Sequence, residues 1–289
     1  MLLTPQSATM FIGTTFKDQN LGILKKHGFE IETEFNKTTV GNLNYFIRGI
    51  FGFNENRIVY KDDLPYAPDY AKAAGKPLGA QLNGIVLSGS GYFTSVDDIH
   101  ITPTPLTVEK QVLGDNKYVD YNIDGLVTLL DKYPIKGSDY PPITFSLASG
   151  ISYKGFDFNF MFAGNIGKYI NYNQNFEVEF LKGNWSVHSS QLDYWRPDNQ
   201  DVNHPTLRYT STTVIETLGW AGGYNDPGYL GFIKDRFWRN ADYLRLKEIY
   251  AGYTFKAASL NRLLGISDLN IYLTGDNLWT YTKLIEGDP

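Results

Sequence analysis

The chain has 289 residues, a net charge of −5 at pH 7, 42% hydrophobic residues and no cysteine. A length of this order fits one large domain or two small ones. The missing thiols rule out disulfides and thiolate metal ligands, and the negative balance speaks against general binding to nucleic acid. No stretch reaches the roughly 18 unbroken apolar residues of a transmembrane helix. Spanning β-strands stay open, because only their alternate residues need be apolar. Aromatic residues make up 15% of the chain, a level that fits aromatic girdles or sugar-stacking loops. The start, Met1 to Ser7, lacks the basic residues and apolar run of a signal peptide, so an exported protein with this sequence is expected to begin further upstream.

Residues 28–36 read GFEIETEFN, with Phe29, Ile31, Thr33 and Phe35 on one face and Glu30, Glu32 and Glu34 on the other. Three carboxylates on one face cannot enter a dry core without partners; they suit a watery lumen or a solvent face. Residues 37–42 form a short polar turn, and 43–54 place Tyr45, Ile47, Gly49, Phe51 and Phe53 on one face, which predicts an antiparallel hairpin. Residues 61–76 read as a loop, 78–93 as a weaker, glycine-rich strand, and 94–141 carry turn signals without strong periodicity.

The clearest hairpin joins 144–153 to 156–163 through Lys154-Gly155, with Phe156, Phe158, Phe160 and Phe162 in strict alternation. Four Phe on a water-exposed face would be hazardous; they need a sheet-sandwich core or lipid. Residues 168–240 are rich in Asn, Tyr, Trp, Gly and Pro. A loop of that length is unusual in a compact domain and normal outside a membrane barrel.

Two more strands follow, Tyr243 to Phe255 and Leu269 to Tyr281, with one or two helical turns expected at Ala258 to Leu264, ended by Gly265. Leu244 and Leu246 share one parity, whereas Ile249, Ala251, Tyr253 and Phe255 share the other. A bulge near Lys247-Glu248 is expected to reconcile them. Such alternation is how a strand reads when one face meets lipid and the other water, so the fold class expected is all-β, a portion of an antiparallel transmembrane β-barrel with long outer loops. If the connections at 37–42, 154–155 and 256–268 share one side, then 54–143 contains an even number of crossings. Residues 78–93 then either pair with a return strand near 111–122 or do not span.

Residues 120–131 match a twelve-residue calcium loop. Asp120, Asn122, Asp124, the Leu126 carbonyl, Thr128 and Asp131 fall at ligand positions, and Gly125 sits at the sixth. Position twelve is Asp rather than the longer Glu. The competing reading is an Asx-rich turn without metal; if an ion binds, it is structural. The aromatics Tyr169, Tyr172, Trp185, Tyr194, Trp195, Trp220 and Tyr224 are candidates for stacking on sugar rings, against the plainer reading of loop packing. The four His are scattered without metal spacing, and no nucleophile elbow, P-loop or dinucleotide fingerprint is present. Enzymatic activity is not expected.

Several segments resemble the SusC/RagA family of TonB-linked outer-membrane transporters. They are residues 20–38 (NLGILKKHGFEIETEFNKT), 150–167 (GISYKGFDFNFMFAGNIG), 194–200 (YWRPDNQ), 241–255 (ADYLRLKEIYAGYTF) and 263–283 (LLGISDLNIYLTGDNLWTYTK), in the family's order, with GDP at the end. The resemblance implies that residues 1–289 are the C-terminal part of a 22-stranded barrel, with plug domain and final strand absent. It implies a Gram-negative outer-membrane location, contact with outer-membrane lipid, a SusD-like surface lipoprotein as lid, and energy from the TonB coupling protein through the missing N-terminal part. The cargo it implies is an oligosaccharide, with peptide import within the same family as the alternative. Family members carry a similar DxNxDG loop near 120–125. A different class, a secreted all-β carbohydrate-binding or hydrolase domain, would need its Phe-rich faces buried between two sheets.

Overall fold

A computed structural model describes residues 2–3, 17, 19–63, 65–78, 84–85, 87–105, 111–127, 131, 133, 137–171, 189–202, 204–207, 233–234, 238–256, 265, 268–284 and 287. The chain divides into two compact units, one of residues 1–24, 57–138 and 170–239, the other of 25–56, 139–169 and 240–289.

The second unit is built on six long strands: β1 (Ile23–Thr38), β2 (Asn44–Tyr60), β3 (Ile143–Tyr153), β4 (Phe156–Ile166), β5 (Tyr243–Lys256) and β6 (Asp268–Thr282). They form one sheet in the order β1-β2-β3-β4-β5-β6. Neighbours in sequence are neighbours in space, an up-and-down meander with local pairing. Residues 39–43, 154–155 and 257–267 link strands at one end, whereas 61–142 and 167–242 leave from the other. At the tightest link Lys154 and Gly155 both have positive φ (49° and 88°), the backbone that matches a two-residue hairpin to strand twist. Both predicted hairpins are present. The helical turns expected at 258–264 lie outside the described residues.

Register sorts the side chains into two faces. Phe145 stands opposite Phe51 and Gly164, Leu147 opposite Gly49 and Phe162, and Ile151 opposite Tyr45 and Phe158. Across the next ladders Phe158 meets Ala251, and Ala251 meets Leu273. Directly opposed residues share a face, so one apolar face runs unbroken across all six strands. Phe29 extends it onto β1, its ring 6.1 Å from Phe51 and 5.7 Å from Phe53. On β1 this band is bounded by the His27–Glu55 contact (3.4 Å) at one end and by Lys37 at the other. The ten steps between them span roughly 34 Å of strand, or ~26 Å along the membrane normal at a tilt of about 40°, close to the ~25 Å apolar belt of outer-membrane barrels.

The expected bulge is present. Phe160 pairs with Ile249 and Phe162 with Leu246, so Lys247 has no counterpart on β4. On the other side Glu248 pairs with Asp276 and Leu246 with Trp279, leaving Asn277 and Leu278 against Lys247. Asn277 takes up the kink at φ 53°. The extra residue flips the parity of β5, and Leu244 and Leu246 rejoin the face of Ile249 and Ala251. Leu278 fills the gap over Gly275, where a Cβ would stand 2.8 Å from Leu278 Cδ1.

Burial is inverted relative to a water-soluble sheet. Phe29, Ile31, Phe35, Ile47, Leu147, Ile271 and Leu273 are exposed, Leu273 by 77%, while Asn165 and Arg245 on the polar face are buried. Among the described residues of this unit, Ala241 alone is both apolar and buried.

The first unit has an ordinary core of Phe93, Tyr118, Val127 and Trp195. Leu87–Tyr92 pairs antiparallel with Asn116–Tyr118 in a two-stranded sheet of its own, which agrees with the alternative that 78–93 does not span. β2 pairs directly with β3, so among the described residues no strand of 61–142 is inserted between them in the six-stranded sheet. A short helix, Val96–Ile101, was not anticipated; its cap, the Ser95 hydroxyl accepting from Asp98 N at 3.1 Å, is legible as Ser-x-x-Asp.

Residues 1–289 contain no cysteine, so a labelling test is direct here once any cysteine elsewhere in the full-length protein is replaced. In the full-length protein folded into lipid bilayers, single cysteines at Asp157, Asn159, Glu248 and Tyr250 should react with a water-soluble maleimide, and cysteines at Phe158, Phe160, Leu246 and Ile249 should be protected. Uninterrupted alternation through Lys247 would contradict the bulge.

Candidate functional site

The polar face of the six-stranded sheet concentrates hydrogen-bonding groups. Arg48 donates to Glu32 Oε1 from Nε at 2.8 Å and from Nη2 at 2.5 Å. Glu34 accepts from Asn36 Nδ2 at 2.6 Å. Two of the three carboxylates read from the sequence are thus engaged by partners on their own face. Arg245 donates through Nε to Thr280 Oγ1 at 3.0 Å, and its guanidinium lies 5.0 Å from the Tyr243 ring centre. Midway along β5 and β6, Tyr250 and Tyr272 stack at 5.6 Å with 22° between their planes. Beside them Asn270 Nδ2 donates to Thr254 Oγ1 at 3.2 Å.

At the end carrying the long connections, Asp242 gathers three strands. Its Oδ1 accepts from Gly167 N (2.6 Å) and Lys168 N (3.0 Å), its Oδ2 from Asn240 Nδ2 (3.0 Å), and its carbonyl from Thr282 Oγ1 (2.9 Å). The ends of β4, β5 and β6 meet on one residue. Sequence reading missed this clamp because its partners lie far apart along the chain.

Of the seven aromatic candidates, Tyr172, Trp185, Trp220 and Tyr224 lie outside the described residues. Tyr169 is half-buried in the second unit. Tyr194 and Trp195 belong to the first. Tyr194 forms a bridge with His204, and the Arg196 guanidinium lies 5.3 Å from its ring centre. Trp195 is 3% exposed and lies against Gly114, where a Cβ would come within 2.4 Å of its ring. In this arrangement Trp195 is a packing residue of the loop unit, and its ring face is covered. An aromatic trio missed from sequence belongs to the same unit: Tyr121 lies 4.6 Å from Tyr70 and 4.5 Å from Tyr133, centre to centre.

The calcium-type loop closes on its own amides. Asp120 Oδ1 and Oδ2 accept from Asp124 N (3.2 Å) and Gly125 N (2.8 Å), and Asp124 Oδ1 accepts from Leu126 N (2.9 Å). Asp131, buried, accepts from Tyr121 N (2.8 Å) and Asn122 N (3.2 Å). Asn122 Nδ2 donates to Asp124 Oδ2 at 2.9 Å. Thr128 lies outside the described residues. The donor types suit calcium, yet among the described residues no three His, Cys, Asp or Glu side chains converge as a metal-holding group.

Elsewhere in this unit Lys117 Nζ donates to Asp98 Oδ1 at 2.6 Å. That bond, with smaller contributions from Thr94 N and the Thr102 hydroxyl, holds the Asp98 carboxyl below its ordinary 3.8. A carboxyl lowered by folding adds stability above its unfolded pKa and loses it as pH falls through the folded one.

No protein-family profile matches the chain. Curated proteins similar to it include TonB-dependent receptor P26 of Formosa agariphila, 24% identical over 93% of this chain and 26% of that protein. TonB-dependent receptor SusC of Bacteroides thetaiotaomicron is 23% identical over 96% of this chain and 25% of that protein. The chain therefore spans about a quarter of the length of these relatives. Among solved structures, the RagAB peptide transporter is similar with a TM-score of 0.62 at 19% identity, covering 100% of this chain and 29% of that one. The RagAB peptide importer in its open-open state gives 0.63 at 20% identity, over 100% and 28%. These relatives are receptors and transporters, not enzymes.

Two outcomes test the loop unit. Gly114→Ala should destabilise it by about 2 kcal/mol, since it adds a methyl against Trp195 at a φ of +84°; faster proteolysis within 87–207 is the readout, and unchanged cleavage would contradict the packing. Lys117→Met should flatten the loss of stability on acidification below about pH 4, followed by melting temperature against pH; an unaltered acid limb would show that Asp98 is not linked to folding.

Proposed function

Because the chain is a relative of the TonB-dependent receptors, SusC among them, we propose that it forms part of the wall of an outer-membrane β-barrel importer. The observation that carries this reading is the inverted sheet. Phe, Ile and Leu side chains line one continuous exposed face about as tall as a bilayer's hydrocarbon, while Arg245 and Asn165 are enclosed on the other. In water such a face would drive aggregation; in lipid it is the stable arrangement. The secreted all-β alternative needs a second sheet over the Phe-rich face, and the exposure of those residues speaks against it.

The cargo in this reading is an oligosaccharide. A SusD-like surface lipoprotein covers the outer opening, and the TonB coupling protein supplies energy through parts of the protein beyond this chain. The resemblance of this chain's segments to the SusC/RagA family supports the first two, and the stacked tyrosines and neutral amides of the polar face favour an uncharged polyol. Peptide cargo is the competing reading, raised by the likeness to a peptide transporter. Calcium belongs to the proposal as a structural ion of the Asp120–Asp131 loop, supported by its oxygen donors alone.

The full-length protein should partition with the outer membrane. It should also support uptake of an oligosaccharide that is abolished when the coupling protein is deleted. Soluble, monodisperse expression of residues 1–289 without detergent would overturn the barrel reading, and coupled uptake of peptides alone would overturn the cargo. For the ion, calcium should raise the melting temperature over that in chelator by a few degrees, and Asp124→Asn should erase the difference; no shift in the parent protein removes calcium from the account.

A further inference from the structure

The polar face is mostly acidic, amide and hydroxyl in character; besides Phe46 on β2 and Tyr243 on β5, it carries one stacked aromatic pair. Tyr250 and Tyr272 stack there at 5.6 Å and 22°, and Tyr272 is 61% exposed. The pair sits on a glycine. Gly252 lies directly opposite Tyr272, and a Cβ at Gly252 would stand 2.5 Å from the Tyr250 hydroxyl and 2.9 Å from its Cζ. The missing side chain lets Tyr250 lie down along β5 toward Tyr272. A side chain at position 252 would push the ring away.

What surrounds the pair defines the ligand. Asn159 stands opposite Tyr250 on β4, and Thr274 opposite it on β6. Asn270 and Thr254, hydrogen-bonded to each other at 3.2 Å, occupy the next pair toward the 257–267 end on the same face. Asp157, opposite Gly252, and the Glu248–Asp276 pair next to Tyr250 and Thr274 on the same face are the charged groups among these neighbours, and all three are acidic. A phosphate or carboxylate ligand would meet no counter-charge and three like charges among these neighbours. A neutral ring with an apolar C–H face and hydroxyls at its edge meets both halves of its requirement: aromatic surface beneath, amide and hydroxyl partners around.

We infer that Tyr250 and Tyr272 form a stacking subsite for one pyranose ring of a neutral oligosaccharide, midway along the polar wall of the sheet. The inference rests on the importer reading, in which that wall lines the route of the cargo. It differs from the loop aromatics read from the sequence, because it lies on regular strands whose register fixes both rings.

The test uses full-length protein in detergent, with linear neutral maltooligosaccharides of increasing length as probes and a neutral peptide of matching size as comparison. Binding is measured by calorimetry, and folding by heat-modifiable gel migration. Tyr250→Ala with Tyr272→Ala should weaken oligosaccharide binding roughly tenfold or more, Tyr→Phe at both positions should retain most of it, and Gly252→Val should weaken it with both tyrosines intact. Tyr253→Ala, on the opposite face, should leave binding unchanged. If the parent protein binds oligosaccharide and the double alanine variant binds it equally well while folded, the subsite is overturned and the importer reading stands. The subsite is equally overturned if the variant melts earlier with its binding unchanged, because the pair is then packing. If the parent binds the peptide and no oligosaccharide, both the subsite and the oligosaccharide cargo fail together.

Discussion

A six-stranded sheet with one predominantly apolar face has to cover that face with something. Nearly every feature of the second unit follows from how this chain meets the requirement. The face is continuous from Phe29 on β1 to Leu273 on β6 and is left exposed, so its cover is the solvent around it. Hydrocarbon is a solvent in which this costs nothing and in which unpaired backbone costs several kcal/mol per group. The strands answer the second demand with long, nearly unbroken ladders. The interruption at Lys247 against Asn277 and Leu278 keeps Leu244 and Leu246 on the face of Ile249 and Ala251.

The same constraint explains the distribution of polar groups. With the apolar side facing out, charges can sit only on the opposite face or at its edges, where several are paired. Arg48 holds Glu32, Arg245 reaches Thr280, and Asp242 ties three strand ends together. Tight positions on that face are given to glycine or small residues, as at Gly150, where a Cβ would collide with Asn159 and Phe46. A rigid wall follows, with side chains fixed by register, and stacked tyrosines can be presented on it without the entropy cost of a loop.

Legibility in the sequence tracked the period-two signal. The hairpins around residues 39–43 and 154–155 and the strands β5 and β6 were all readable, because alternating burial writes itself into residue type. The bulge was readable too: Leu246 and Ile249 cannot share a face unless one residue is skipped. The stacking of Tyr250 on Tyr272 was hidden, since it depends on the pairing of Gly252 with Tyr272 across a ladder. The Asp242 clamp was hidden for the same reason. In the first unit the aromatic residues gave no period, and sequence alone left Trp195 between sugar stacking and loop packing; it lies packed on Gly114. The helix at Val96–Ile101 is too short for periodicity to show, although its cap was written in Ser95 and Asp98.

The most direct measurement compares adjacent residues of β6 that are both exposed and differ in the face they occupy, Leu273 and Thr274. In the full-length protein folded into lipid bilayers, Leu273→Arg should destabilise by about 2–4 kcal/mol, as expected for a charge in the hydrocarbon belt, whereas Thr274→Arg should change stability by less than about 1 kcal/mol. Equal effects at both positions, or a larger cost at Thr274, would contradict the claim that lipid is what covers this sheet.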